Sequence, residues 1–220
     1  ISDKSIKEYS ILKKISKKRD LRLLDITQIK EKIHKKNLNF NEIKLKNLSM
    51  AVAAAKLCNL KEKKIFSVLK KIKDVEGRLN LVRNFPNGIK VYVDFAHTPD
   101  ALSKSLKALG GENISVVFGC GGNRDFKKRP LMGKIASAHC KKIYITDDNP
   151  RNEKPEKIRK EIIKGIKCKE FYNIGDRAKA IKTAIAKANP NEIILITGKG
   201  HENNQIYKNK IISISDKKIV

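Results

Sequence analysis

The sequence has few of the side chains on which several common functions depend. It contains no tryptophan, and aromatic residues make up only 5% of the chain, which is few for stacking the bases of single-stranded nucleic acid. Its cysteines are far apart, form no CxxC pair and have no histidine at metal-ligand spacing; they are Cys58, Cys120, Cys140 and Cys168. We therefore predict reduced, buried thiols and a cytoplasmic protein.

Long apolar segments are also absent. No run approaches the roughly 20 residues that a membrane span needs. The first residues show no signal-peptide pattern, and the chain begins with Ile1, which suggests a piece of a longer protein. We therefore expect no membrane span. The hydrophobic content of 40% is typical of a globular protein rather than a disordered one.

Acidic residues are scarce beside basic ones. The chain has 23 Asp and Glu against 50 Lys and Arg, which gives a formal net charge of +27. Such a charge attracts polyanions at low salt. Only nine of the basic residues are arginine, however, and so many lysines are typical of solvated helix faces. We expect no specific recognition of nucleic acid, although a basic polyanion-binding module stays open as an alternative function.

The first third of the chain has no pattern that points to chemistry. Residues 1–40 carry short alternating apolar runs between basic stretches, which predicts peripheral strands or hairpins. The Ala-rich segment Leu48–Leu60 favours a closely packed helix. Lys61–Lys73 is predicted to be a second, amphipathic helix. Its apolar face would comprise Ile65, Val68, Leu69 and Ile72. The pattern breaks at Val75–Leu79, where we place a domain boundary.

After Gly88 strand and helix patterns alternate regularly. The predicted strands are Ile89–Phe95, Ile114–Phe118, Lys142–Thr146, Glu170–Asn173 and Glu192–Thr197. The predicted helices are Asp100–Leu109, Pro130–His139, Pro155–Ile166 and Asp176–Ala188. This alternation predicts an α/β fold with a Rossmann-like, mostly parallel sheet that helices cover on both faces. The tail, Gln205–Ser215, is predicted to form a hairpin.

Four of the predicted strands end in loops that carry glycine, histidine or charge. In an open α/β sheet, ligands bind in the crevice outside the carboxyl ends of the strands. The first to fourth of these loops comprise residues 93–100, 119–125 with 128–130, 147–151 and 197–202. Turn formation and helix capping would explain each loop taken singly. Together the four predict one binding site.

The third loop, Asp147–Arg151, suggests what that site binds. An arginine fork beside an asparagine amide can hold a carboxylate with two hydrogen bonds, which an isolated lysine cannot do. No GxxxxGK[ST] motif occurs in the sequence, so the chain has no P-loop for the phosphates of ATP.

The ordered string GRL…VDFAHTPDAL…VFGCGGNRD…KRPLMG…TDDNPR…GDRAKAI…GKGHE resembles the carboxy-terminal part of the Mur ligases. The resemblance is to the UDP-N-acetylmuramoyl-tripeptide synthetases that add meso-diaminopimelate, and it is dense from about Val75 to Gln205. It implies ATP- and Mg²⁺-dependent amide formation, through an acyl phosphate, between UDP-N-acetylmuramoyl-L-alanyl-D-glutamate and meso-diaminopimelate. It also implies that residues 1–76 are an incomplete central ATP-binding domain. Residues 77–220 would be the carboxy-terminal domain that docks the amino acid and the nucleotide.

The resemblance assigns roles residue by residue. Residues implied to bind meso-diaminopimelate are Arg124, Asp148, Asn149, Pro150, Arg151, Gly198 and Glu202. Residues implied to contact the nucleotide are Arg78, Asp94 and His97. No catalytic residue or metal ligand is implied within this chain. Because the P-loop and the metal-binding machinery are missing from it, we expect the chain to be inactive alone. We also expect it to be a monomer.

Two positions depart from the family pattern, and several alternatives stay open. Asn80 stands where an acid usually follows the Gly-Arg pair, and Asn123 stands where Asp is common before Arg124.

Another ligase of the same fold, such as a lysine-adding one, is an alternative that Arg151 opposes, because a site built to bond a carboxylate rejects an analogue without it. A remnant whose site has drifted is a further alternative, which the intact loops oppose.

Overall fold

The computed structural model describes residues 1–35, 40, 42–73, 75–111, 113–167 and 170–220. The chain divides into two compact units, Ile1–Lys73 and Asp74–Val220. This division lies a few residues before the boundary predicted after residue 76. The assignment of the first unit to a central ATP-binding domain stays a prediction.

The described part of the first unit contains four α-helices. They are α1 (Tyr9–Lys18), α2 (Thr27–His34), α3 (Glu42–Leu57) and α4 (Glu62–Val68), and a 3₁₀ turn, Leu69–Lys71, follows α4. The strands or hairpins predicted over residues 1–40 are therefore wrong where these residues are described; residues 36–39 lie outside that part. The physical reason is helical spacing, because Ile29 and Ile33 on α2 lie four residues apart and both are buried.

The two helices predicted between residues 48 and 73 are confirmed. The Ala-rich helix α3 buries Leu48, Val52 and Ala53 in the core of this unit. The predicted apolar face of the second helix is half right. Ile65 and Leu69 are buried, whereas Val68 and Ile72 are 46% and 39% exposed, because the α-helix ends at Val68 and the chain tightens into the 3₁₀ turn.

The second unit is built on a six-stranded sheet. Its strands are β1 (Asn80–Asn84), β2 (Lys90–Asp94), β3 (Ile114–Phe118), β4 (Lys142–Ile145), β5 (Phe171–Asn173) and β6 (Ile193–Thr197), in the order β1-β2-β6-β3-β4-β5. Its helices are α5 (Pro99–Leu109), α6 (Lys128–His139), α7 (Pro155–Ile163), α8 (Arg177–Ala186) and α9 (Asp216–Ile219). Only β1 is antiparallel to its neighbour. The Rossmann-like, mostly parallel sheet is confirmed.

The tail and one sheet edge differ in how well the sequence predicted them. The predicted hairpin is confirmed as β7 (Asn204–Tyr207) and β8 (Lys210–Ser213). The edge strand β1 and the short helix α9 were not predicted. β1 buries none of its residues, so the sequence NLVRN lacks the apolar run that marks the inner strands.

Helices cover both faces of the sheet, which explains the continuous apolar runs of its inner strands. One core packs α5, α6 and α7 against alternate residues of the strands, including Val116, Phe118 and Ile145. The opposite core packs α8 against the residues between them, including Val117, Tyr144 and Ile196. Because successive side chains of a strand point to opposite faces, every position of β3 is buried.

The cysteines divide between the core and the surface. Cys120 and Cys140 are buried, and burial raises the pKa of the Cys120 thiol to about 12. Cys58 is exposed, so its predicted burial is wrong; it follows the last residue of α3, beyond the part of the helix that faces the core. Cys168 lies outside the described residues. None of the described helices has the length and apolar character to cross a membrane.

Candidate functional site

The four loops meet at the carboxyl edge of the sheet. The strand order places β2, β6, β3 and β4 side by side, so their following loops are neighbours. Backbone hydrogen bonds join them. The Gly198 N–H donates to Asp94 O at 3.2 Å, and the Gly122 N–H donates to Asn149 O at 2.9 Å. The convergence predicted from the alternating pattern is therefore confirmed. Part of the first loop is simply a helix start, since Thr98 caps α5 and Pro99 is in its first turn.

The second loop packs closely on the third through its glycines. A Cβ at Gly119 would lie 2.3 Å from Thr146 O, and one at Gly122 would lie 1.9 Å from Pro150 O. Any larger residue at either position would displace the backbone of the third loop. Pro150 is buried and its carbonyl also accepts the Glu153 N–H at 3.0 Å, so its role in the structure is to shape the loop.

A fully buried arginine, Arg129, locks these two loops together. Its Nη1 donates to Glu153 at 2.9 Å and to Glu161 at 2.7 Å. Its Nη2 donates to the other oxygen of Glu153 at 2.9 Å and to Gly121 O at 3.2 Å. The hydrogen bonds from Arg129 hold the pKa of Glu153 below its usual range. The Arg129 guanidinium thus joins Gly121 of the second loop to Glu153, which follows the third loop, and to Glu161 of α7.

Asn123, one of the two departures from the family pattern, completes this lock. Its backbone has a φ of +53°, a conformation that asparagine tolerates better than most residues. Its Oδ1 accepts the Asn152 N–H at 3.1 Å, and its own N–H donates to Glu153 at 2.6 Å. Asparagine therefore supplies the acceptor oxygen and the backbone geometry that an aspartate would supply here.

The two aspartates of the third loop point to different surroundings. Asp147 bonds Arg159 and accepts from Tyr207 Oη at 2.9 Å, so it anchors the loop to α7 and β7. Burial raises the pKa of Asp147. Asp148 is 7% exposed and has no hydrogen-bond or ion-pair partner among the described residues. The negative charge of Asp148 interacts with the buried Arg177 guanidinium without a hydrogen bond between them. Buried carboxylates are normally hydrogen-bonded, so the Asp148 oxygens are available to a further donor.

Gly198 allows the fourth loop to pass close to Asp148. Its φ is +112°, and a Cβ there would lie 2.6 Å from Asp148 Oδ2. Both the backbone conformation and the contact therefore require glycine. The site consequently presents an acidic group at the place where the third and fourth loops touch.

Asn149, Lys199 and Glu202 form a hydrogen-bonded cluster, which we call the amide cluster. Lys199 Nζ donates to Asn149 Oδ1 at 3.0 Å and to Glu202 Oε2 at 3.2 Å. Asn149 Nδ2 donates to the same Glu202 oxygen at 3.2 Å. The Ile206 N–H donates to Asn149 Oδ1 at 3.0 Å. These bonds define which end of the Asn149 amide is the donor, and they hold it towards Glu202.

Arg151 lies beside the amide cluster with part of its fork already in use. Its Nη1 donates to Gly122 O at 2.9 Å and makes a longer bond to Asn149 O at 3.4 Å. Its Nη2 and Nε have no partner in the described part of the chain. Its φ is +52°, a strained value for a side chain of this size, and its backbone is held by Ile206 O at 3.0 Å. Arg151 therefore retains donors for a ligand in a fixed orientation.

Arg124 lies at the rim of the site. Its side chain is exposed, and its one described contact is a bond of 3.5 Å from Nη1 to Asn123 O. Five of the residues assigned to the amino acid lie together in the structure, namely Asp148, Asn149, Arg151, Gly198 and Glu202. Pro150, between two of them in the sequence, is buried. Arg124 lies at the outer end of the neighbouring second loop.

Two of the three residues assigned to the nucleotide, Arg78 and His97, lie around Phe95. The Arg78 guanidinium lies 4.3 Å from the centre of the Phe95 ring. His97 meets the edge of that ring at 4.9 Å, and His201 of the fourth loop lies 5.4 Å from it. We call these four residues the Phe95 cluster. It joins cationic and aromatic groups next to the amide cluster, because His201 and Glu202 are consecutive.

Asp94 does not join the Phe95 cluster. Its side chain is buried, with Oδ1 accepting the Leu79 N–H at 3.0 Å and Oδ2 accepting from Ser105 Oγ at 2.5 Å. Asp94 therefore holds the turn that carries Arg78. Asn80, the other departure, lies at the start of β1, opposite Val93.

The sequence reasoning missed three buried cations of this site: Lys199, Arg129 and Arg177. The two arginines could have been found from the sequence, because arginine is scarce in this Lys-rich chain and a scarce residue type marks positions with a specific role. Six of the nine arginines have described contacts in or beside the site. They are Arg78, Arg124, Arg129, Arg151, Arg159 and Arg177. Lys199 had no such signal beyond its place between two glycines. Among the described residues, no three His, Cys, Asp or Glu side chains are grouped to hold a metal ion.

Comparisons with known proteins show which family the chain resembles. Residues 77–200 match the family described as "Mur ligase, glutamate ligase domain". A UDP-N-acetylmuramoyl-L-alanyl-D-glutamate--2,6-diaminopimelate ligase from Rickettsia bellii is 46% identical over 162 residues, which cover 71% of this chain and 33% of the relative. The ligase of the same name from Buchnera aphidicola subsp. Schizaphis graminum is 38% identical over 238 residues, covering 100% of this chain and 48% of the relative.

A solved structure of a ligase of that name has 34% sequence identity and a TM-score of 0.62, and covers 81% of this chain and 37% of the other. The chain spans about half of the length of these relatives, or less. The family match itself covers more than half of the chain. This chain therefore belongs to the Mur ligase family, and its second unit is a Mur ligase C-terminal domain.

Proposed function

We propose that this chain supplies the amino acid-docking part of an ATP-dependent amide ligase. The ligase would add meso-diaminopimelate to UDP-N-acetylmuramoyl-L-alanyl-D-glutamate, as the names of the relatives indicate for those proteins. The observation that carries the proposal is the combination of two side chains at one loop junction: Arg151, whose Nη2 and Nε have no hydrogen-bond partner among the described residues, and Asp148, a nearly buried carboxylate to which those residues make no hydrogen bond.

The charges of the site suit the distal end of diaminopimelate, which carries one carboxylate and one ammonium. The carboxylate would accept hydrogen bonds from the unused Arg151 nitrogens and from the second Asn149 Nδ2 proton. The ammonium would be bound by Glu202 and the Gly198 backbone, with Asp148 as a further acidic partner. Arg124, at the rim, would bind a carboxylate at the other end of the ligand. Lysine lacks the distal carboxylate and would leave Arg151 unpaired.

The reaction requires that the docked amine attack an activated carboxylate. ATP, when bound, supplies the activation, because transfer of its terminal phosphoryl group to the dipeptide carboxylate gives an acyl phosphate. Attack by the amine then forms the amide and releases phosphate. The residues of this chain would hold the amino acid in position, which is an entropic contribution to the rate.

The Phe95 cluster is proposed as the nucleotide side of the site. Arg78 and His97 are exposed and lie on the same ring, so they are available to phosphate or base. Both carboxylate oxygens of Asp94 are already bonded, so its contribution is to position Arg78. The chain lacks a P-loop, and its described residues form no metal cluster, so we assign none of them to Mg²⁺. We therefore propose that the first unit is part of a central domain whose remainder is needed for turnover.

The cytoplasm is the compartment that we propose for this activity. Cys58 is a free and exposed thiol, which is typical of proteins kept in a reducing environment.

The proposal is tested by NMR titration of the labelled chain with meso-diaminopimelate and, separately, with L-lysine. We expect shifts at Arg124, in the third loop and at residues 198–202, with diaminopimelate only. The method detects millimolar binding, about −4 kcal/mol. Arg151→Ala should abolish the preference for diaminopimelate, whereas Arg22→Ala, an exposed arginine of the first unit, should leave it unchanged.

Two results would contradict the proposal. One is equal binding of both amino acids by the unmodified chain, and the other is an unchanged preference in Arg151→Ala. Repeating the titration at higher salt separates amino acid docking from polyanion binding. Polyanion binding weakens steeply with ionic strength, whereas a partly buried clamp is screened far less.

A further inference from the structure

Lys199 is a fully buried lysine within a site that the proposed function gives to an amino acid. Its side chain is 0% exposed, whereas its partner Glu202 is 38% exposed. Burying an ammonium is costly unless it is paired and hydrogen-bonded. Among the described residues, Lys199 meets this requirement through Asn149 Oδ1 and Glu202 Oε2. The two groups that it bonds are those proposed to bind the two charges at the distal end of the ligand.

The contacts show how Lys199 could orient the site without touching the ligand. Its ammonium is a donor only, so the atom of the Asn149 amide that faces it must be the oxygen. The Nδ2 end is then directed to Glu202, where one of its two protons is used. On the other side, Lys199 and Asn149 both bond Glu202 Oε2, which leaves Oε1 without a described partner. The Ile206 N–H donates to the same Asn149 Oδ1 at 3.0 Å, so Lys199 and this backbone group together set the orientation of the Asn149 amide, and Lys199 and Asn149 together occupy one oxygen of Glu202.

Lys199 also contributes to the net charge at the junction where the third and fourth loops touch. Around the junction, Asp148 and Glu202 contribute two negative charges, and Arg151 and Lys199 contribute two positive ones. The buried Arg177 also interacts with both carboxylates, and its own charge is paired with that of Asp216. Removing the Lys199 charge makes the junction net acidic. An acidic junction disfavours a ligand carboxylate and favours a ligand ammonium, and both effects are stronger beside a buried group such as Lys199 than in bulk water.

We propose that Lys199 is a positioning and specificity-determining residue, which orients Asn149 and Glu202 and makes the site accept a distal carboxylate beside a distal ammonium. This inference rests on the proposed function for the identity of the ligand. The orientation of Asn149 by Lys199 is a structural claim that does not depend on the proposed function.

The test uses Lys199→Met, which keeps the length of the side chain and removes its charge, and Lys199→Arg, which keeps the charge. Lys142→Met is the matched control. Lys142 is also buried and bonds a buried glutamate, Glu192, at 3.0 Å, but it lies at the amino end of β4, away from the loops. The three variants and the unmodified chain are compared by NMR, first without ligand and then with meso-diaminopimelate and L-lysine.

Without ligand, Lys199→Met should shift the side-chain amide resonances of Asn149 and speed their exchange with water, and Lys142→Met should not. With ligand, Lys199→Met should weaken diaminopimelate binding roughly tenfold or more. It should leave lysine binding unchanged or tighter. Lys199→Arg should restore part of the preference. A merely structural loss would weaken both ligands in the same direction.

The outcomes separate this inference from the function on which it rests. Asn149 resonances that are the same in Lys199→Met and the unmodified chain would overturn the positioning role, whatever the ligand data show. Equal weakening of both amino acids in Lys199→Met would overturn the specificity role. If the unmodified chain binds neither amino acid, the proposed function and the specificity role both fail, and the Asn149 resonances still decide the positioning role.

Discussion

The buried ion pair between Arg177 and Asp216 is a contact whose loss we expect to cost the second unit much of its stability. The pair joins the first residue of α8 to the first residue of α9. Both side chains are 0% exposed, with Nε–Oδ1 and Nη2–Oδ2 distances of 2.6 and 2.7 Å. The same guanidinium donates to Thr197 O at 3.1 Å, the residue before Gly198. The tail of the chain therefore supports the fourth loop through a single arginine.

The perturbation is Asp216→Asn, which keeps the shape of the side chain and removes its charge. Because Arg177 would remain buried without its hydrogen-bonded counterion, the expected cost is about 3–5 kcal/mol. That is a large part of the roughly 5–15 kcal/mol by which a domain is usually stable. In a protein of this size each kcal/mol lowers Tm by about 2–4 °C, so Tm should fall by about 6–20 °C.

The assay is urea and thermal unfolding followed by far-UV circular dichroism, because the chain has no tryptophan to report by fluorescence. The control is Asp100→Asn, which removes the partner of Lys104 from an ion pair whose side chains are 75% and 63% exposed, and should change stability little. The double variant Arg177→Met/Asp216→Leu removes both charges and should be more stable than Asp216→Asn. The reasoning is refuted if Asp216→Asn loses no more stability than Asp100→Asn.

Two further predictions concern the lock between the second and third loops. Gly122→Ala should cost about 1–3 kcal/mol and weaken diaminopimelate binding, because its Cβ would lie 1.9 Å from Pro150 O. Gly110→Ala, whose Cβ would meet no atom within 4 Å, should keep binding, so equal losses in NMR titrations of the two variants would argue against the packing. The pKa of Glu153 is held below its usual 4.5 by Arg129, so its stabilisation is present above that pH and is lost as the pH falls through the lowered pKa. Glu153→Gln should therefore lose less stability on acidification than the unmodified chain in urea unfolding, and parallel pH curves would contradict this assignment.

Some of the sequence predictions succeeded because their physical basis is local. The inner strands are continuous apolar runs, and only a sheet covered on both faces buries every side chain of such a run, as β3 does. The rule that parallel strands place their carboxyl ends at one edge then brought the four loops together without any knowledge of contacts. The same reasoning failed for residues 1–40, whose short apolar runs resembled strand alternation although their buried isoleucines lie at helical spacing.

Other features depend on contacts between residues far apart in sequence. Asp147 and Asp148 are neighbours of identical type, yet one is bonded to Arg159 and Tyr207 and the other has no described hydrogen-bond partner. Asp94 was implied by the resemblance to contact the nucleotide, and in the structure its two carboxylate oxygens accept hydrogen bonds from Leu79 and Ser105. Local pattern does not distinguish these cases, because it does not specify where a loop side chain points.

The sequence by itself determined the layered α/β architecture and the position of the site, since periodicity and strand direction are properties of short segments. The tertiary structure alone decided which side chains of the loops keep unused hydrogen-bonding groups and which hold the loops together. Arg151 is fixed by two other segments of the chain, because Ile206 O binds its backbone N–H at a positive φ and Gly122 O binds its guanidinium. Lys199 is buried beside Asn149, fifty residues away, because their two strand ends converge. The energy of such contacts comes from desolvation and packing, which exist only once the chain is folded.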